Sequence, residues 1–373
     1  MTAPGEPVGV AVVGCGTISD EYLRNLTSFP DLRVLHCADL DLARAKAQAA
    51  RYGVPGAGSA RQAVEDAEVE IVVNLTVPAA HGAVAREALA AGKHVWIEKP
   101  LALDAAAGRM LLAEAGRAGR RVGCAPDTVL GAGLQTARRL IDAGAIGVPQ
   151  AALAMMQDPG PDRWHPDPEF LFQRGAGPLF DIGPYYLATL ALLFGPATQV
   201  AALGQCGRAT RVIGAGPRAG TAFSVQVPTH LAARVRFAAG QAASLLLSFD
   251  SPLRRHGFVE ITGTEATLAL PDPNRFDGEL RLRATGSDEW TSIPAEGATA
   301  GRGLGVLDMA RALRSGTPHR ASGELALHVL ETMEAIAGSI DAGTFEPVGT
   351  TFTVPEGLAA DWDPYARTVS GPG

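Results

Sequence analysis

The hydrophobic pattern of this chain changes rhythm once. Up to about residue 125, short unbroken apolar runs alternate with stretches whose apolar residues recur every three or four positions. The runs VGVAVVG (8–14), LRVLHCAD (32–39), VEIVVNLT (69–76), KHVWIEKP (93–100) and RRVGCAP (120–126) read as buried strands. Between them, 19–28, 42–52, 81–91 and 105–118 read as helices, the second ended by Gly53. Strands buried on both faces and separated by helices predict a parallel sheet. After about residue 148 the pattern shifts. A helix at 181–196, with Pro184 near its first turn and Gly195-Pro196 as its stop, leads into strands at 199–206, 221–227, 231–237, 242–249, 258–262 and 279–283, and a late helix at 323–342 follows. Strands joined by short turns predict a mostly antiparallel sheet. The expectation is an α/β domain over 1–127 and an α+β domain over 128–373, the second for substrate binding and oligomerisation.

The first strand runs into GCGTIS (14–19), and a helix follows. Gly14 allows a sharp turn and Gly16 a close approach of backbone to a pyrophosphate, while Thr17 and Ile18 lead into a helix whose N–H groups and dipole favour an anion. Ser19 stands at the third small position of the fingerprint. This turn, set between a buried strand and a helix, points to a Rossmann dinucleotide-binding domain. Asp39 closes the second strand, where a carboxylate accepts the ribose hydroxyls and repels a 2′-phosphate. Neither Leu40 nor Asp41 offers a cation, so NAD is expected over NADP; Arg44 is near enough in sequence to temper that preference.

Composition narrows the partners. The 373 residues carry a formal charge of −7, with no basic stripe, which argues against nucleic acid. No apolar run is long enough for a membrane span, and the N-terminus lacks the pattern of a secretion signal. The four cysteines, Cys15, Cys37, Cys124 and Cys206, form no CxxC pair, so reduced thiols, a cytoplasmic location and no metal site are expected. Only three lysines (Lys46, Lys93, Lys99) stand among the 32 basic residues. A lysine kept in so arginine-rich a chain hints at a need for an amine that can give up its proton.

Three segments, GCGTIS (14–19), NLTVPAAH (74–81) and AGKHVWIEKP (91–100), resemble in order and spacing the glucose–fructose oxidoreductase / inositol dehydrogenase (Gfo/Idh/MocA) family. GAGPLFDIGPYYL (175–187) resembles that family's second motif, a glycine-rich turn leading into DxGxH. The resemblance implies that Thr76, Pro78 and His81 lie near the nicotinamide ribose and that Glu98 helps hold that end of the cofactor. It places Lys99 over the carbon that exchanges hydride, with the Lys99–Pro100 bond in the cis form. The chemistry agrees, since oxidising a secondary alcohol needs a base within reach of its hydroxyl. Near a cationic nicotinamide and partly desolvated, a lysine amine gives up its proton more readily.

Asp181 and Tyr185 sit four apart around the helix start, with Tyr185 where the family has histidine. A phenol ordinarily titrates near 10 and is a poor base at neutral pH, so the acid–base role falls more heavily on Lys99, with Tyr185 orienting or protonating the substrate oxygen. The proline-rich loop DPGPDRWHPDPEF (158–170) offers Arg163, Trp164 and His165 together: an aromatic plane for a sugar, a cation for an anionic substituent, and an imidazole in place of the missing motif histidine. Arg254, Arg255 and His256 read as a solvated turn. The leading expectation is an NAD-dependent oxidoreductase of a sugar, cyclitol or polyol, forming a homodimer or homotetramer through the second domain's sheet. A glycoside hydrolase that oxidises its substrate transiently, and a non-catalytic NAD-binding regulator, are the alternatives.

Overall fold

The computed structural model describes residues 6–368 and, within them, divides into two compact units: 6–135 with 296–327 and 355–368, and 136–295 with 328–354. The sequence-based cut after residue 127 treats the units as contiguous; two later stretches instead return to the first.

In the first unit, β1 (Val8–Val13), β2 (Leu32–Ala38), β3 (Gly56–Gly58), β4 (Ile71–Asn74), β5 (His94–Ile97) and β6 (Val122–Cys124) form one sheet in the order β3-β2-β1-β4-β5-β6. Every neighbouring pair is parallel. All six residues of β1 are buried, as a strand covered on both faces requires. Helices α1 (Ser19–Leu26), α2 (Leu42–Tyr52), α3 (Ala60–Glu65), α4 (Pro78–Ala90) and α5 (Ala105–Arg117) link the strands. Their ends are written in the sequence. Asp41 caps α2 by accepting from the Ala43 N–H, Gly53 closes it at φ 67°, Ser59 and Gln62 form a capping box on α3, and Asp104 caps α5. Strand order reverses between β1 and β4, so the carboxyl ends of these two strands open the crevice where doubly wound sheets bind ligands.

The chain leaves the first unit within α6 (Ala132–Asp142). The second unit is built on nine strands: β7 (Pro149–Gln157), β8 (Ala197–Gln205), β11 (His230–Phe237), β12 (Ala242–Ser248), β13 (Arg255–Gly263), β14 (Ala266–Leu270), β15 (Leu280–Ala284), β16 (Thr291–Ile293) and β17 (Glu346–Pro347). A separate hairpin pairs β9 (Thr210–Val212) with β10 (Ala222–Ser224). The large sheet runs β16-β15-β14-β13-β7-β12-β11-β8-β17, and only the β7–β12 pair is parallel. The mostly antiparallel second sheet is therefore as expected. The helix expected at 181–196 is α8 (Gly183–Phe194), and a short α7 (Gly177–Asp181) precedes it, ending before Ile182. Pro184 in the first turn of α8 lacks the N–H that would continue the preceding helix. Two further helices, α9 (Leu304–Ser315) and α10 (Gly323–Ala342), complete the order, the second carrying the chain back into the second unit.

Arg255 and His256, expected in a solvated turn, open β13; both are exposed, and His256 Nε2 lies 3.1 Å from an oxygen of Asp158. Among the described residues no helix is long and apolar enough to cross a membrane, and no group of three His, Cys, Asp or Glu side chains is placed to hold a metal ion.

Candidate active site

The turn after β1 is shaped by two glycines with different duties. Gly14 has φ 100°, and a Cβ there would lie 2.6 Å from the carbonyl carbon of Leu75, so backbone meets backbone at the β1–β4 crevice and no side chain fits. At Gly16 a Cβ would meet nothing within 4 Å: its surroundings are open, as the approach of a pyrophosphate requires. Thr17 is exposed, and Ile18 stands at the N-cap of α1 with no side-chain capping bond. Buried Ser19 donates from Oγ to the Gly16 carbonyl at 2.6 Å, locking the turn from beneath. Asp39 follows β2 with its carboxylate fixed on both sides: Oδ2 accepts from the Cys15 N–H (2.7 Å) and Oδ1 from the Asp41 N–H (2.8 Å). An uncapped helix end, an open glycine and an oriented carboxylate fit a dinucleotide.

The β4 end is tied to the segment after β5. Asn74 Oδ1 accepts from Thr76 Oγ1 at 2.6 Å, while its amide donates to the His81 carbonyl at 3.0 Å. His81 is buried in α4, with Nδ1 2.8 Å from the Pro100 carbonyl and Nε2 3.0 Å from the Thr76 carbonyl. Burial holds its pKa below the usual imidazole range, against the pull of those two carbonyls. A neutral ring carries one N–H, so one of these nitrogens donates to a main-chain carbonyl and the other only faces one. The ring joins the Thr76 and Pro100 segments. Pro78 is exposed at the first turn of α4.

Glu98 and Lys99 follow β5 at the carboxyl edge of the parallel sheet, the edge that also carries Gly14, Asp39 and Thr76. Lys99 is half-buried and its bond to Pro100 is cis. The Glu98 carboxylate is gripped at both oxygens: Oε1 accepts from the Tyr22 hydroxyl (3.0 Å) and Oε2 from the Lys99 N–H (2.8 Å). Arg302 approaches Oε1 to 4.0 Å. Beyond it, fully buried Asp127 accepts from the N–H groups of Gly303 (2.8 Å) and Gly305 (3.1 Å).

The second unit holds the remaining candidates. Asp181 ends α7, and Tyr185 is buried in the first turn of α8, its carbonyl accepting from Thr189 Oγ1 at 2.9 Å. Gly177 has φ 76°, and a Cβ there would lie 3.1 Å from a Val227 methyl, so the approach to α7 needs glycine. In the 158–170 loop, Arg163 and Trp164 are exposed and His165 is half-buried. The His165 ring meets Trp164 and Phe170 edge-on, at 5.5 Å and 5.4 Å between centroids, and its Nδ1 accepts from the Asp167 N–H. Beneath the loop, the buried guanidinium of Arg211 donates to Asp162 (2.6 Å), to the Pro159 carbonyl (3.0 Å), to the Phe249 carbonyl (2.7 Å) and to Asp250 (2.5 Å). The exposed aromatic and cation therefore stand on a fastened base.

Comparison with known proteins now bears on this arrangement. Residues 8–125 match a family described as an oxidoreductase family with an NAD-binding Rossmann fold, and residues 134–269 match the GFO/IDH/MocA C-terminal domain. The chain belongs to the Gfo/Idh/MocA family. An uncharacterized oxidoreductase of Rhizobium meliloti is 27% identical over 91% of this chain and 99% of its own length. The inositol 2-dehydrogenase of Burkholderia cenocepacia is 32% identical over 38% of this chain and 43% of its own. In fold, a crystal structure of an NAD binding oxidoreductase from Klebsiella pneumoniae covers 92% of this chain and all of its own, with a TM-score of 0.82 at 24% identity. The protein is an NAD-binding oxidoreductase of this family.

Within the family frame, Tyr22, Trp96, Asp127 and Arg302 are residues that the sequence did not single out. Tyr22 lies on the buried face of a helix that the apolar pattern reveals, but nothing in that pattern says where its hydroxyl points. Arg302 lies in a stretch with no expected element, and its approach to Glu98 depends on the return of 296–327 to the first unit.

Proposed function

We propose that this protein exchanges hydride at a secondary alcohol carbon of a sugar, cyclitol or related polyol, with NAD preferred over NADP and Lys99 as the acid–base group. The supporting observation is the shared carboxyl edge of the parallel sheet, where Lys99 follows β5 on the edge that bears the glycine turn and Asp39. When bound, NAD accepts or returns the hydride. The neutral Lys99 amine takes the hydroxyl proton as the carbon is oxidised, and the ammonium returns it when the carbonyl is reduced. Glu98, held at both oxygens, fixes the peptide from which that amine extends. The fixed negative charge of Asp39 disfavours a 2′-phosphate and supports the NAD preference. Asp181 and Tyr185 are assigned to the substrate, Tyr185 as a hydrogen-bonding group in place of the motif histidine. Arg163, Trp164 and His165 are assigned to recognition of the substrate's ring and substituents.

The experiment is a panel of sugars, cyclitols and aryl glycosides incubated with NAD and, separately, NADP, following NADH or NADPH absorbance together with released aglycone. The reading predicts NADH from at least one free polyol, with NAD favoured. Aglycone release without net NADH would instead support the transient-oxidation glycosidase, the alternative that Tyr185 at the histidine position and the Arg163-Trp164-His165 loop keep open. NAD binding with no polyol transformed would contradict the reading and support a regulator.

A further inference from the structure

We infer that Tyr22 is a positioning residue for Lys99, acting through Glu98 as the middle of a buried strut that begins at Trp96. The inference rests on the reading of Lys99 as the acid–base group.

Trp96 lies in β5 and is wholly buried, its indole slotted between two glycines. A Cβ at Gly123 of β6 would lie 2.7 Å from the ring carbon Cε3, and one at Gly305 of α9 would lie 1.9 Å from Cη2. The ring is thus set by main chain on two sides. Its Nε1–H donates to the Tyr22 oxygen at 3.3 Å. With the indole as donor, the phenol proton is directed at Glu98 Oε1, 3.0 Å away, and Glu98 Oε2 accepts the Lys99 N–H at 2.8 Å. Burial, with Glu98 and Asp127 nearby, holds the Tyr22 phenol above its ordinary pKa, so it stays a donor. Arg302, whose loop is pinned through Gly303 and Gly305 to Asp127, supplies positive charge beside Oε1.

A buried hydroxyl and the carboxylate it meets must satisfy each other, and phenylalanine would fill the same space but take from Glu98 Oε1 its hydroxyl donor and from the Trp96 N–H its acceptor. What the hydroxyl adds is direction. With each Glu98 oxygen held by one donor, the carboxylate cannot rotate, and the amide that leads into Lys99 is held with it. Tyr22 also lies on α1, the helix opening from the Gly14–Gly16 turn, so one helix links the dinucleotide turn to the peptide of the reacting amine.

The test is a double-mutant cycle with the best polyol from the panel and NAD, using Tyr22→Phe, Lys99→Met and the pair. Tyr22→Phe is expected to lower kcat about tenfold, as a misplaced catalytic group does, with polyol KM and NAD Kd within about twofold. In the Lys99→Met background the same change is expected to cost under about twofold, because the residue it positions is gone. Glu98→Gln, which turns an amide donor toward the Lys99 N–H or the Tyr22 hydroxyl, is expected to show the same dependence on Lys99 and serves if Tyr22→Phe does not fold. Unchanged kcat in Tyr22→Phe with an inactive Lys99→Met overturns the positioning role and leaves the Lys99 reading standing. Equal losses in both backgrounds show a merely structural role and overturn it too. Wild-type turnover in Lys99→Met overturns the reading itself, and this inference with it.

Discussion

At the scale of single residues, one buried and one half-buried group set opposing pH dependences on the first unit. The Asp127 carboxyl is pushed up to about 6, chiefly by burial, although Arg302 and the Gly303 and Gly305 N–H groups pull it down. Between the ordinary carboxyl range and pH 6 the folded chain keeps a proton that the unfolded chain has released. Stability therefore falls as pH rises through that window, by on the order of 3 kcal/mol for this group. His94 works the other way. Burial, Arg120 and Arg121 hold its imidazole down to about 4, and its Nδ1 accepts from the Arg121 N–H. The folded chain resists a proton that the unfolded chain takes, so stability is lost as pH falls through the same range. The two largely offset one another in the native protein. Asp127→Asn removes only the first, and its stability relative to wild type should improve by about 2 kcal/mol between about pH 4.5 and 7.5, read from urea melts. A difference independent of pH would contradict the assignment. Residue chemistry of this kind was illegible beforehand, because Asp127 draws its partners from 302–305, far along the chain. Gly14, Gly16 and Asp39 were legible because their duties are local: a turn, an open approach and a strand end.

At the scale of elements, the apolar pattern located strands and helices well where burial is one-sided or complete, and less well where breaks are local. Helices α2 and α10 match their expected ranges, and the caps Asp41 and Gly53 explain why α2 does. The 181–196 expectation found α8, but the short α7 before it was unread, because Pro184 marks a first turn without saying that another helix ends just before it. β7 went unread because its weakly alternating PQAALAMMQ carries few β-branched residues; pairing with β12 and β13 makes it a central strand. Helix α9 was also unread, yet it fixes Trp96 through Gly305. Gly305→Ala would drive a methyl into the indole, and overpacking of this sort costs about 1–3 kcal/mol, more than alanine's gain of up to ~1 kcal/mol in helix propensity. The expected outcome is a lower Tm by thermal melting; an unchanged or raised Tm would contradict the slot.

At the scale of the whole molecule, the alternation of strands and helices foretold a parallel sheet, and short-turn strands foretold the large antiparallel one, because both follow from local pattern. The return of 296–327 to the first unit did not, since it joins parts of the chain that share no local signal. The site follows the same division. The glycine turn and Asp39 were readable as a pattern at one sheet edge, whereas the support beneath Glu98 depends on long-range closure. The central claim is that the amine of Lys99 carries the proton in a polyol oxidation. Its most direct test is the single-turnover rate of NADH formation in Lys99→Met, beside an NAD titration of the same protein. The account predicts a loss of at least ~100-fold in rate, as removal of a positioned acid–base group gives, with NAD affinity retained. A rate equal to wild type would contradict it.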